Sequence, residues 1–239
     1  MGENLQTSET ERIMMMQVTL GQPWMKKIIV FSHPRSGTHF LMNTIADNFG
    51  YTSTRWIDLD YPRPYNWYLP ANVAEFFQDF KGHPVANIFK SHHPFEFIQD
   101  AFEEMVKEFL VFYIYRDIKD VMESYCRLLN AFPFNEGPKC RSGKQLAMTE
   151  PCGALLRYQQ RQYQNMQERY WDHLDGWMGK DEVIYVRFED LRDDFENTVR
   201  AIGKSIRRSC PDRIVKPYKD DRTITPELVA KFHGVAVNG

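Results

Sequence analysis

The chain has 239 residues, 43% of them hydrophobic and 26% charged, which is the composition of one globular domain and not of a disordered segment. A formal net charge of −2 excludes a broad basic face for nucleic acid or for an anionic membrane, so any anion binding has to be local. No stretch approaches the ~18 apolar residues of a membrane span, and the N-terminal MGENLQTSET lacks the basic-then-apolar pattern of a secretory leader.

The first 24 residues have no clear period until ERIMMMQVTLG and read as an N-terminal arm, leaving 25–239 as a single domain. Residues 25–32 (MKKIIVFS) predict a short strand, and 36–49 a helix with apolar residues at Phe40, Leu41, Ile45 and Phe49, stopped by Gly50. Residues 52–59 alternate weakly, as an edge strand does, before a Pro- and aromatic-rich loop (61–70) and a helix over 71–82. Residues 85–94 predict a second core strand and 95–109 a helix. The most apolar strand is expected at 110–117, with a helix at 118–132. Residues 133–153 are polar and punctuated by Gly and Pro, the pattern of a lid or binding loop. A single long amphipathic helix is expected over 154–178, then a strand at 181–191 and a helix at 192–206. The four cysteines are widely spaced with no metal-ligand pairing and read as free thiols, although Cys140 and Cys152 are near enough in sequence to meet across the loop.

Strands alternating with helices predict a three-layer α/β/α fold, P-loop-like, around a mostly parallel central sheet. Near-continuous apolar strands fit burial on both faces. Ligands of such sheets bind beyond the carboxyl ends of the strands, and there the unusual polar residues fall.

In HPRSGTHF (33–40) a strand runs through a stiff turn into a helix. Gly37 permits close backbone approach, Ser36, Gly37, Thr38 and His39 offer N–H groups at a helix start, and Arg35 adds a fixed charge. The spacing is not that of the common nucleoside-triphosphate loop, and Ser and Thr begin helices everywhere. In FKSHHP (89–94), Lys90, His92 and His93 follow a strand directly; adjacent histidines there point to opposite faces, so one at most faces a site, with an intrinsic pKa suited to a base. In YRDIKDVMESYCR (115–127), Arg116 ends a strand and Ser124 lies two turns into the next helix; the pair reads either as a phosphate site or as an arginine matched to Asp117, Asp120 or Glu123.

Together these stretches resemble the sulfotransferases that use 3′-phosphoadenosine 5′-phosphosulfate (PAPS). The resemblance rests on Pro34-Arg35-Ser36-Gly37-Thr38-His39-Phe40, Lys90-Ser91-His92-His93-Pro94, Arg116-Asp117-Ile118-Lys119-Asp120 with Ser124, and Phe188-Glu189-Asp190-Leu191, and covers about residues 26–206. It implies that Ser36, Gly37, Thr38 and His39 wrap the 5′-phosphate, and that Arg35, replacing the family's lysine, neutralises the leaving phosphate. It further implies that His92 is the general base, that Lys90 stabilises the transferring group, and that Arg116 and Ser124 hold the 3′-phosphate. Phe40 stands where an adenine-stacking tryptophan is common, and Phe188 replaces a tyrosine near the nucleotide. The family's Arg-Lys-Gly near the C-terminus has no clear counterpart; Arg222, Lys231, His233 and Gly234 are the nearest candidates.

The implied reaction is metal-free, in-line transfer of the sulfuryl group from PAPS to a hydroxyl or amine of a small molecule, leaving adenosine 3′,5′-bisphosphate (PAP). A cytoplasmic protein is expected, a monomer or homodimer, with neither nucleic acid nor membrane as partner. Trp56, Asp58, Asp60, Tyr61, Tyr65, Trp67 and Tyr68 suit a flat or cationic acceptor, or equally a loop packed on the core. Two rivals stand beside this reading: a small-molecule kinase using ATP, disfavoured by the missing Walker lysine, and a nucleotide-binding module without catalysis, disfavoured by Lys90 and His92.

Overall fold

Five short runs rich in aromatic and branched residues form one sheet in the computed structural model, which describes residues 26–58, 87–131, 137–156, 159 and 161–217. They are β1 (Lys27–Phe31), β2 (Thr52–Asp58), β3 (Asn87–Ser91), β4 (Phe109–Tyr115) and β5 (Val183–Arg187). Their order is β2-β3-β1-β4-β5 and every neighbouring pair is parallel. Phe31 lies level with Ser91 on one side and Tyr113 on the other. The residues that follow these strands therefore emerge together at one end of the sheet.

Side chains of a strand alternate between faces, and both faces are covered. On one, Ile29, Phe31, Phe89, Val111 and Tyr113 pack against α2 (Phe102–Glu108) through Met105 and against α5 (Met166–Trp177) through Trp177. On the other, Ile28, Val30, Ile88, Phe112 and Ile114 meet Leu41 and Ile45 of α1 (Thr38–Phe49) and Val199 and Ile202 of α7 (Phe195–Ser205). Each such apolar side chain contributes about 1.5–3 kcal/mol by leaving water. A third cluster joins α3 (Ile118–Ala131), α4 (Gly143–Ala147) and α5 through Val121, Leu129, Leu146, Met166 and Tyr170. This is the three-layer α/β/α arrangement expected, with all described strand pairs parallel.

Four element boundaries differ from those expected. The helix expected over 95–109 is two 3-10 turns (Phe95–Phe97 and Gln99–Ala101) followed by α2, because Pro94 is extended and the next amides bond three residues back, Phe97 N–H to the Pro94 carbonyl at 3.1 Å and Ala101 N–H to Ile98 at 2.9 Å. Where one helix is expected over 154–178, the described residues form a 3-10 turn at Gly153–Leu156 and the helix α5. Asn165 caps it by accepting from the Glu168 N–H at 2.9 Å, while the Glu168 carboxylate accepts from the Gln164 N–H at 2.7 Å. The long loop at 133–153 contains α4, capped by Ser142, and its Gly143 presses against the Glu123 backbone so closely that a Cβ would come within 2.4 Å of the Glu123 nitrogen. The strand expected to 191 stops at Arg187, where the chain turns into α6 (Phe188–Asp193) so that Phe188 packs back on Gly37.

All four cysteines are free thiols. Among the described residues no helix is long and apolar enough to cross a membrane. The expected arm (1–24), the 61–70 loop and the 71–82 helix lie outside the described residues, as do Asp60, Tyr61, Tyr65, Trp67, Tyr68, Arg222, Lys231, His233, Gly234 and the side chains of Trp56 and Asp58.

Candidate active site

The chain leaves β1 through α1 for the outer strand β2, returns to β3, and then crosses to β4 on the other side of β1. The order reverses at β1, which makes its carboxyl end the topological switch point where ligands of open parallel sheets bind. Residues 32–37 occupy that end. Their turn is tight, with the Ser36 N–H on the His33 carbonyl at 3.2 Å, and two consecutive-but-one residues have positive φ, Arg35 at 74° and Gly37 at 100°. A non-glycine residue held there is strained, and such strain gathers at functional loops. At Gly37 nothing else fits: a Cβ would come within 2.3 Å of Phe188 Cδ2.

Gly37 is the N-cap of α1, and no side chain caps that helix. The simple capping role open to Ser36 and Thr38 is thus not the one they take. Thr38 Oγ1 shares a hydrogen with Ser32 Oγ at 2.6 Å, and Ser36 Oγ is fully buried with no hydrogen-bond partner. An uncapped helix start beside an unsatisfied buried hydroxyl is a place for an anion's oxygens.

Two cations converge on this loop. Arg35 Nε donates to Ser124 Oγ of α3 at 3.1 Å. Burial pushes the Arg35 pKa down; Tyr125 opposes this, and Arg116 and Arg127 push it further down by repulsion. Arg116, just beyond β4, donates to Asp120 at 3.3 Å and lays its guanidinium 4.4 Å from the centre of the Phe188 ring, while its Nε is buried without a partner. Of the two readings of Arg116, the structure shows the acidic neighbour, Asp120, and beside it a buried Nε donor without a partner. The resemblance implies different phosphate subsites for Arg35 and Ser124, whereas the fold joins them directly. Like charges gathered at the switch point hold the local positive potential that the overall charge of −2 conceals.

On the other side of the loop, the His92 ring is oriented by its Nδ1, 2.9 Å from the Ser32 carbonyl and 3.2 Å from Ser32 Oγ. A carbonyl only accepts, so Nδ1 carries the hydrogen and the basic lone pair of the neutral ring is on Nε2. His93, like His92 past the end of β3, is fully buried and has a different partner, its Nδ1 lying 2.6 Å from Ser91 Oγ. Lys90 is buried in β3, one residue before its end.

Phe40 meets the Phe188 ring edge-on at 6.1 Å and Phe195 at 6.0 Å, half-buried beside the loop with His39. Phe188 is more than a replaced tyrosine: one face covers Gly37 and Arg116 rests on its ring, so it ties the loop after β1 to the arginine after β4. Sequence reasoning passed over α5 as a site element. Its Met166, Tyr170, His173 and Trp177 are buried at spacings of four, three and four, a helical stripe that includes three polar-tipped side chains. Tyr170 donates to the Arg116 carbonyl at 2.5 Å, and burial, ahead of nearby Asp117 and Glu189, pushes its pKa up to about 12, so it stays a donor.

A family model described as "Sulfotransferase domain" matches residues 25–220, most of the chain. The chain belongs to the sulfotransferase family. Its fold is similar to that of mouse sulfotransferase SULT7A1 complexed with PAP, at 18% identity and a TM-score of 0.50, covering 78% of this chain and 60% of that one. It is also similar to retinol dehydratase in a complex with retinol and PAP, at 16% identity and a TM-score of 0.51, covering 85% of this chain and 67% of the other. The chain thus spans 60% to 67% of the length of these two proteins. No curated protein sequence matches it.

Proposed function

We propose that this chain is a PAPS-dependent sulfotransferase acting on a hydroxyl or amine of a small-molecule acceptor. The observation that carries the reading is the set of unsatisfied buried donors at the switch point, Ser36 Oγ and Arg116 Nε, flanked by the Arg35 and Arg116 charges and by the oriented ring of His92. The family's known chemistry and the PAP in both similar structures support it.

In this reading the start of α1, with Ser36, Gly37, Thr38 and His39, holds the 5′-phosphosulfate, and Arg116 and Ser124 hold the 3′-phosphate. Phe40 and Phe188 supply apolar surface for the adenine. The acceptor heteroatom attacks sulfur and its proton passes to His92 Nε2. The bond from sulfur to the bridging oxygen breaks, and the electron pair leaves with PAP. Charge develops on that oxygen, so Arg35 acts more strongly in the transition state than before it. Lys90 steadies the sulfuryl oxygens. Electrostatic placement and removal of one proton are the protein's whole contribution.

Transfer of radiolabelled sulfur from PAPS to a panel of phenols, alcohols and amines tests this. The His92→Ala variant is expected to lose roughly 10²–10⁴-fold in turnover while its affinity for PAP stays within about twofold. Near-normal turnover in that variant removes His92 from the role of base.

A further inference from the structure

We propose that His173 is a positioning residue for His92: from helix α5 it anchors the peptide that carries the base and so fixes where the His92 ring points. This deepens the reading above and rests on it.

The ladder between β1 and β3 ends with the Ser32 N–H on the Ser91 carbonyl at 3.3 Å. The carbonyls of His92 and His93 lie past that end and need donors from elsewhere. Helix α5 provides both. His173 Nε2 lies 3.1 Å from the His92 carbonyl, and Trp177 Nε1, one turn later, donates to the His93 carbonyl at 3.1 Å. Residues four apart share a helix face, so one stripe of α5 grips two successive peptides.

The His173 ring is itself held. Its Nδ1 is 2.9 Å from the Tyr113 hydroxyl, inside the sheet, and the ring meets His33 edge-on at 5.6 Å. A carbonyl at one nitrogen requires that Nε2 carry the hydrogen, which leaves Nδ1 to accept from Tyr113. Neutrality of the pair suits this. Burial is the largest influence on both, taking the His173 pKa down to about 3 and the Tyr113 pKa well above its ordinary value. Arg169 of α5 and His33, His92 and His93 at the strand ends are the titratable groups around the His173 ring, and Tyr170, Tyr185 and Asp175 are those around Tyr113. His92 is therefore secured twice, its ring by the Ser32 carbonyl and its peptide by His173. A base displaced by about 1 Å can lose on the order of 10²-fold in rate, which is the scale on which such anchoring matters.

The test uses the full chain without nucleotide and two substitutions, His173→Leu, which removes both ring nitrogens, and His173→Gln, whose amide keeps a donor. Long-range nitrogen–proton NMR of the imidazoles reads the tautomers. In the unmodified chain His173 is expected as the Nε2–H form and His92 as the Nδ1–H form; His173 found as Nδ1–H overturns the inference, because it then has no hydrogen for the His92 carbonyl. In His173→Leu the His92 signals are expected to shift toward a mixture of tautomers. Turnover should fall about 10- to 100-fold with KM for PAPS changed less than about twofold, and His173→Gln should recover to within about fivefold of the unmodified rate. Unchanged turnover in a folded His173→Leu overturns the inference, as does an equal loss in both variants. If His173→Leu fails to fold, the tautomers of the unmodified chain and the rate of His173→Gln decide. Absence of any transfer by the unmodified chain counts against the sulfotransferase reading alone, because the tautomers are measured without substrate.

Discussion

Arg116 shows how one side chain serves several neighbours: an ion pair with Asp120, a face-on contact with Phe188, a carbonyl taken by Tyr170, and a buried Nε left without a partner. That an arginine stands just past the end of β4 was legible from the order of the chain. Its partners were not, because Phe188 and Tyr170 lie 72 and 54 residues further on and come near it only through the sheet order. Gly37 makes the same point from the other side. The sequence marks it as the glycine of an anion loop, but the ring of Phe188 over its Cα is a tertiary fact. Gly37→Ala combines a φ of 100° with a Cβ 2.3 Å from that ring, so it is expected to destabilise the fold by about 1–3 kcal/mol and to weaken PAP binding at least about tenfold. Thermal unfolding with and without PAP measures both effects, and an unchanged Tm together with unchanged PAP affinity would show that the loop has another conformation.

At the scale of elements, the strands were the most legible, because short apolar runs between turn signals leave few alternatives. The helices over 38–49 and 118–131 followed from their spacing, and the errors gathered where a helix begins. Residues 154–178 have enough helical period to look continuous, yet Asn165-x-x-Glu168 within them is a start signal that outranks the period. The Asn165→Ala substitution should therefore cost about 1 kcal/mol and lower Tm by roughly 2–4 °C, without altering the expected contacts of Tyr170, His173 or Trp177. A calorimetric melt checks it; no change in Tm would mean that α5 does not depend on this cap. The short helix α4 inside the polar stretch after α3 escaped notice for a different reason. Its five residues are too few to show a period, and it is fixed by Ser142 and by the fit of Gly143 against Glu123.

Across the whole molecule, the layer order and the parallel sheet were implied by the alternation of elements, whereas the contact of His173 with the His92 carbonyl was not, because a histidine on an amphipathic helix carries no mark of what it faces. Two buried histidines also set how stability depends on pH. His173, taken down to about 3 chiefly by burial, and His33, taken well below its ordinary value by burial and by neighbouring His173 and Arg169, are neutral when folded. An unfolded chain protonates them below about pH 6.5, so their contribution to stability is whole above that pH and is lost as pH falls toward the folded values, at up to about 1.4 kcal/mol per pH unit for each. The melting temperature should accordingly fall between pH 7.5 and 5, and His173→Gln should flatten the slope; a melting temperature independent of pH over that range would contradict the buried neutral state.

Calorimetric titration with PAP and with adenosine 5′-monophosphate, on the unmodified chain and on Arg116→Ala, probes the nucleotide site most directly. The geometry predicts that PAP binds at least about tenfold tighter than the monophosphate, without added magnesium, and that Arg116→Ala removes most of that difference, as the loss of a charged hydrogen bond worth about 1.5–3 kcal/mol would. Equal affinity for the two nucleotides, or a clear preference for magnesium-ATP over PAP, would contradict the assignment of this site to a 3′-phosphorylated sulfate donor.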